Sequence, residues 1–172
     1  MEEKFGMMNA INKNQEVSAL RECNQFTKSF GLTLSDSDIQ MLMEEKFRSL
    51  KNNGRVEFGE GILKKLVFEF CDSPYVLQDN YAETLQCLQE MFYYFKNESL
   101  DEYSDDELIG IMKEYFESEC QGSVEYLQEC KLEDICRKKR YQNVNYDWDD
   151  DREEDDDIEK NDEGEGYGVY YK

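Results

Sequence analysis

The 172-residue sequence contains no histidine. Imidazole is the usual general base at neutral pH and the commonest metal ligand, so Ser-His-Asp and Cys-His chemistry are excluded. A zinc site would need four well-spaced thiolates. The six cysteines do not offer them: there is no CxxC pair, and Cys120, Cys130 and Cys136 are separated by nine and five residues. Positive charge is also scarce, with 20 Lys and Arg against 41 Asp and Glu, a net of -21. Binding DNA, RNA or an anionic membrane surface requires a cationic footprint, so none of these is expected. The longest aromatic-apolar run, Met91–Phe95, has five residues, where a membrane-spanning helix needs about 20. No glycine-rich phosphate loop is present, because FGEGILKK lacks the spacing of a nucleotide fingerprint. The opening Met1-Glu2-Glu3-Lys4 has no apolar signal core, so a cytoplasmic location and reduced thiols are expected.

Helical periodicity dominates what remains. Residues 1–13 show no clear pattern and are expected to be frayed, and 14–142 read as a helical domain. From Asn143 to Lys172 the sequence holds 13 acidic and 3 basic residues and few aliphatics. Such a segment buries too little apolar surface to offset the entropy of ordering, so it reads as a disordered acidic tail. Within the domain, a first helix over about 15–29 carries Leu20, Cys23, Phe26 and Phe30 as its apolar stripe and stops at Gly31. Ser35-Asp36-Ser37-Asp38 caps a second, with Ile39, Leu42, Met43, Phe47 and Leu50 inward. A third carries Ile62, Leu63, Leu66, Val67 and Phe70 and ends before Pro74. A fourth, from about Asn80 to Lys96, turns Tyr81, Leu85, Leu88, Phe92 and Phe95 inward. The capping box Ser104–Glu107 opens a fifth. Two short helices follow, one from Ser123 to Leu127 and one holding Leu132, Ile135 and Cys136. The expected fold is all-α, a compact irregular bundle of six or seven helices.

The sharpest local pattern is SLKNNGRVEFGE, Ser49 to Glu60. With Gly54 at the sixth place of a twelve-residue calcium loop, Glu60 falls at the twelfth, where such loops carry a bidentate glutamate. The segment therefore resembles an EF-hand in its turn and last ligand, and Asn53 and Glu60 are the weak metal candidates. Lys51 at the third place would put an ammonium among the ligands. The simpler reading is an αα connection in which Gly54 takes a left-handed conformation. No cofactor is expected.

Cys23, Cys87 and Cys136 fall on apolar faces as small core residues. Cys71, at a helix C-terminus beside Asp72, is expected to hold its proton tightly. Arg137-Lys138-Lys139-Arg140 is the one basic cluster, placed at a helix C-terminus. The acidic tail begins close behind it and could fold back on it and screen it, and Trp148 of the tail is, with these four cations, a candidate interaction residue. Some of Tyr93, Tyr94, Tyr103, Tyr115, Tyr126 and Tyr141 could form a partner surface.

The strings NNGRVEFGEGILKKLVFEFCDSPYV, MFYYFKNESL, SDDELI and CQGS together resemble an uncharacterised bacterial family of clostridial type, over roughly 15–142. The resemblance implies a bacterial cytoplasmic protein and brings no activity. It draws attention to Arg55–Tyr75 as a signature region, for packing or for a site. The reading that follows is a non-catalytic helical protein-interaction domain with an acidic tail and an unidentified protein partner. The alternatives are a calcium-insensitive or weakly metal-linked EF-hand-like regulator, an acidic mimic of nucleic acid, and an enzyme of unknown class. Oligomeric state is left open.

Overall fold

Helix α1 (Glu2–Thr27) is followed by one 3-10 turn (Lys28–Phe30) and stops at Gly31, whose φ of 77° is the left-handed conformation that ends a helix. The computed structural model describes residues 2–57 and 61–144, and side chains over 13–57, 61–129 and 131–141. Glu60, Trp148 and the acidic tail beyond 144 lie outside the described residues. The helix begins thirteen residues before the expected Gln15. A periodic apolar stripe reports burial rather than helicity, and Glu, Lys, Met and Ala favour helix without one.

Helix α2 (Asp36–Asn52) starts in a full capping box: the Ser35 hydroxyl accepts from the Asp38 amide, and the Asp38 carboxylate accepts from the Ser35 amide. Helix α3 (Ile62–Phe70) ends one residue before Cys71, four before the expected block at Pro74. Helix α4 (Tyr81–Glu98) is the central element and packs against α2, α3 and the helices that follow. Helix α5 (Asp105–Glu117) opens in the capping box expected at Ser104 and Glu107.

The last segment departs from two separate short helices. Helix α6 (Val124–Tyr126) runs through a π-helical turn (Leu127–Leu132) directly into α7 (Glu133–Val144). Leu127, Leu132 and Cys136 are all buried. A five-residue step from Leu127 to Leu132 breaks the 3-4 period, so the sequence reads as an interruption. The wider π turn brings both leucines to one face and keeps the helix continuous.

The described residues form one all-α bundle with a single apolar core. All five inward residues expected on α4 are buried, and so are Leu20, Cys23, Ile39, Leu42, Met43 and the five residues expected inward on α3, Ile62, Leu63, Leu66, Val67 and Phe70. Three phenylalanines expected to point inward do not: Phe26, Phe30 and Phe47 are 49, 44 and 46% exposed. On α1 the inner face runs from Leu20 through Cys23 to Thr27, two turns along, and Phe26 lies about 100° off it. On α2 the inner position is Lys46, 3% exposed, and Phe47 is the outer one.

The fifth helix hands over to α6 through a tight loop. Gly122 (φ 86°) donates its amide to the Phe116 carbonyl at 2.8 Å. A β-carbon on Gly122 would lie 2.5 Å from Cβ of Tyr75. The CQGS and SPYV strings thus meet where the chain crosses over the Tyr75 ring, which itself stands edge-on to Phe116. Among the described residues no helix is long and apolar enough to cross a membrane.

Candidate functional site

The turn between α2 and α3 is where the sequence pattern pointed. Helix α2 continues through Ser49–Asn52, the first four places of the twelve-residue calcium frame. Asn53 closes it. Its side-chain amide donates to the Ser49 carbonyl at 2.8 Å, and its own carbonyl accepts from Asn97 Nδ2 at 2.9 Å. Gly54 is left-handed (φ 62°), and the Arg55 amide returns to the Leu50 carbonyl at 2.9 Å. That is a glycine-terminated helix C-cap, in which Asn53 is engaged in ending the helix. Among the described residues no group of three or more His, Cys, Asp or Glu could hold a metal.

Arg55 pins this turn to the end of α4. Its guanidinium donates to Asn97 Oδ1 at 2.6 Å and to Asp101 Oδ1 at 2.6 Å. The guanidinium hydrogen bond, ahead of its charge, holds the Asp101 carboxyl below the usual carboxylate range. Leu100 and Asp101 are both left-handed without being glycine (φ 54° and 60°), a conformation costing roughly 1–2 kcal/mol per residue. The Arg55–Asp101 bridge and the Asp101 amide bond to the Lys96 carbonyl (3.1 Å) hold it in place.

Beneath the turn lies a buried ionic cluster that sequence patterning did not reveal. The Lys46 ammonium contacts Glu16 Oε2 at 2.6 Å and also Glu57 Oε2. The other Glu57 oxygen accepts from the Ile62 amide (2.7 Å) and the Tyr93 hydroxyl (3.0 Å). Burial first, then the neighbouring Glu57 charge, pushes the Tyr93 phenol far up, so it stays a donor. A β-carbon on Gly61 would sit 2.7 Å from Lys46 Nζ. Only a helix pattern that allowed a lysine on the inner face of α2, and searched for its acids in α1 and the turn, would have found this cluster.

A cavity of about 220 Å³ opens beside it, lined by Arg55, Glu57, Tyr93 and Asp105 with apolar walls from Leu50 and Phe92. The polar groups are bound to one another or to neighbours: Arg55 to Asp101, Glu57 to Lys46, and Asp105 to Lys96 at 2.9 Å. The arrangement holds five segments in register. The thiols favour no nucleophile. Burial, ahead of the adjacent Asp72 charge, raises Cys71; burial and acids on its own helix raise Cys87; burial pushes Cys136 up to about 11.

Two surfaces are less fully engaged. The rings of Phe26 and Phe30 lie 5.5 Å apart, and those of Phe26 and Phe68 5.3 Å. Phe68 is 41% exposed, so three phenylalanines form one aromatic patch where α1 and its 3-10 turn meet α3. The basic cluster lies along α7. Arg137 pairs with Glu133 (2.6 Å) and Arg140 with Glu98 (2.9 Å), while Lys139 lies over the Tyr103 ring at 5.4 Å. Lys138 is exposed with no ion-pair partner among the described residues. Of the tyrosines, Tyr93 is buried, Tyr103 and Tyr115 are half-buried, and Tyr94, Tyr126 and Tyr141 are exposed.

The chain belongs to a family of unknown function, DUF6323, whose match spans residues 19–145. No curated protein and no solved structure matches it.

Proposed function

We propose that this family member is a non-catalytic helical domain that binds another protein through the aromatic patch of Phe26, Phe30 and Phe68. The patch itself carries the reading. In a chain with 35% charged residues, Phe26 packs tilted against both Phe30 and Phe68, and all three are left 41–49% exposed. Together they present an area of about 270 Å², taking a phenylalanine at roughly 200 Å². That is a third of one side of a standard interface, the size of its buried centre. The net charge of -21 opposes pairing of two copies and steers basic partners toward the surface. The polar groups around the Arg55–Asp105 cavity are already paired internally, which supports a framework role there.

Affinity capture from lysate with the full-length chain and with F26S/F30S/F68S tests this. A partner held by the unaltered chain in high salt and lost by the folded triple variant is the expected outcome. The variant's far-UV circular dichroism checks that it is folded. Identical captured sets from both chains, or loss of all captured protein at high salt, would refute an apolar docking surface.

A further inference from the structure

Asn53-Gly54 is the only Asn-Gly step in the sequence, and such a step carries its own chemistry. The amide nitrogen that follows an asparagine attacks the side-chain carbonyl carbon and closes a five-membered imide. Glycine leaves that nitrogen unshielded, because it has no β-carbon. The folded chain holds the two groups apart. Ring closure requires the Gly54 nitrogen to eclipse Cβ of Asn53 about the Cα–C bond. That geometry lies about 120° in ψ from zero, because nitrogen and Cβ are tetrahedral neighbours on Cα. Asn53 has φ -92° and ψ 1°.

The C-cap of α2 keeps ψ there. The Gly54 amide, which is the nucleophile, donates to the Lys51 carbonyl at 3.2 Å, and the Arg55 amide donates to the Leu50 carbonyl at 2.9 Å. The Asn53 carboxamide nitrogen, which is the leaving group, donates to the Ser49 carbonyl at 2.8 Å. The Asn53 main-chain carbonyl accepts from Asn97 Nδ2 at 2.9 Å, and the Arg55 guanidinium binds Asn97 and Asp101 at 2.6 Å each. This lock sits at the surface: the Arg55 and Asp101 side chains are 25 and 56% exposed. A helix end held by exposed bonds opens at lower cost than the core.

We propose that Asn53 is a self-modification site, with water as its co-reactant, gated by the α2 C-cap and its Arg55 pin. When the cap opens, the Gly54 nitrogen gives its proton to solvent and bonds to Asn53 Cγ. The Cγ–Nδ2 bond breaks and ammonia leaves. Water then opens the imide. Addition at Cγ yields aspartate, and addition at the main-chain carbonyl yields isoaspartate, with the backbone rerouted through Cγ. Neither product rebuilds the cap. Aspartate lacks the donor to Ser49 and sets a carboxylate at the negative end of the α2 dipole. Isoaspartate lengthens the main chain by a methylene and shifts the Gly54 and Arg55 amides off Lys51 and Leu50. The turn between α2 and α3 therefore loosens once and stays loose.

The full-length protein is incubated at neutral pH, folded and in concentrated urea, and conversion is read by peptide mass spectrometry with electron-transfer fragmentation to separate the two products. In urea, Asn53 should convert ahead of Asn24, Asn80 and Asn97. In the folded chain it should convert more slowly by on the order of a hundredfold, because opening breaks two main-chain hydrogen bonds and the charged pin. R55Q should raise the folded rate about tenfold, the worth of a hydrogen bond to a charged group. D101N should raise it in the same direction, and it alters a carboxylate exposed enough that the test does not depend on R55Q folding. N53D should melt about 4 °C below the unaltered chain. Equal rates folded and in urea, or folded rates indifferent to both pin variants, would show that the cap is no gate. Conversion of Asn53 no faster than that of Asn24 in urea would show that it is no site, and an unchanged melting temperature for N53D would remove the loosening. Any of these overturns the proposal.

Discussion

Replacing Lys46 by methionine should be among the most destabilising single changes in the domain. Methionine fills a similar volume but carries no charge. The ammonium it removes is 3% exposed and balances two carboxylates. Glu16, with its side chain 21% exposed, can turn toward water. Glu57 cannot do so as easily: its side chain is 12% exposed, and one oxygen is fixed by the Ile62 amide and the Tyr93 hydroxyl. The variant therefore buries an unbalanced carboxylate. Removing one partner of a buried pair costs about 3–5 kcal/mol. Urea unfolding with a slope of about 2 kcal/mol per molar converts that into a midpoint lower by roughly 2 M. The double variant K46M/E57Q separates charge from packing. It removes the charge of Glu57 and keeps an amide oxygen for Ile62 and Tyr93, so it should recover much of the loss. If K46M unfolds at the unaltered midpoint, or if the double variant costs the sum of the two singles, the cluster is not a coupled ionic unit.

Glycine substitutions should rank by contact rather than by backbone angle. Gly31 and Gly122 are both left-handed (φ 77° and 86°), but a β-carbon at Gly31 meets open space while one at Gly122 meets Tyr75 at 2.5 Å. Thermal melts should therefore show a loss of roughly 1 kcal/mol for G31A, and about 1–3 kcal/mol more for G122A through overpacking. Stability should be complete below pH 9 and fall as pH rises toward 11. The folded state raises the Cys136 thiol from 9.0 to about 11, so above pH 9 the unfolded chain loses a proton that the folded chain keeps. Urea midpoints at pH 8 and 10.5, with and without C136A, check the sign. Calcium should leave the melting temperature unchanged, because Asn53 is engaged in capping α2; a ligand at one hundred times its dissociation constant would add about 2.7 kcal/mol.

Helix identity was legible wherever a local rule was sufficient. The capping boxes at Ser35 and Ser104 and the stop at Gly31 lie where local chemistry alone puts them, and α3 ends, at Phe70, ahead of Pro74. The inward faces of α3 and α4 follow from an unbroken 3-4 period. Local rules failed where a distant partner decided the outcome. Lys46 is inside because Glu16 and Glu57, 30 and 11 positions away, meet it there. Phe47, its neighbour, then faces out with Lys13 over its ring at 5.7 Å. Hydrophobicity ranks Phe above Lys for burial at any single position, so no reading of α2 alone could have inverted them. The π turn was hidden for a related reason. Its five-residue step makes sense only once Leu127 and Leu132 are seen to face the same neighbours.

The strings that carry the family resemblance sit on close approaches between backbone and side chain. Gly61 leaves room for the Lys46 ammonium, Gly122 for Tyr75, and the Arg55 turn for Asn97 and Asp101. Each is a demand of packing that any protein with this fold would meet, whatever it bound. Packing makes no such demand of Phe26, Phe30 and Phe68. The Phe26 ring packs against the other two at the surface, and a smaller polar residue at each site would open no cavity in the core. An aromatic side chain kept half in water exposes apolar area that burial would make favourable, roughly 25 cal/mol for each Å² left uncovered. That area is recovered only when something covers it. Assembly of the fold therefore explains Arg55, Gly61 and Tyr75 of the signature region, whereas Phe68 of that region joins Phe26 and Phe30 in the patch on which the proposed docking rests.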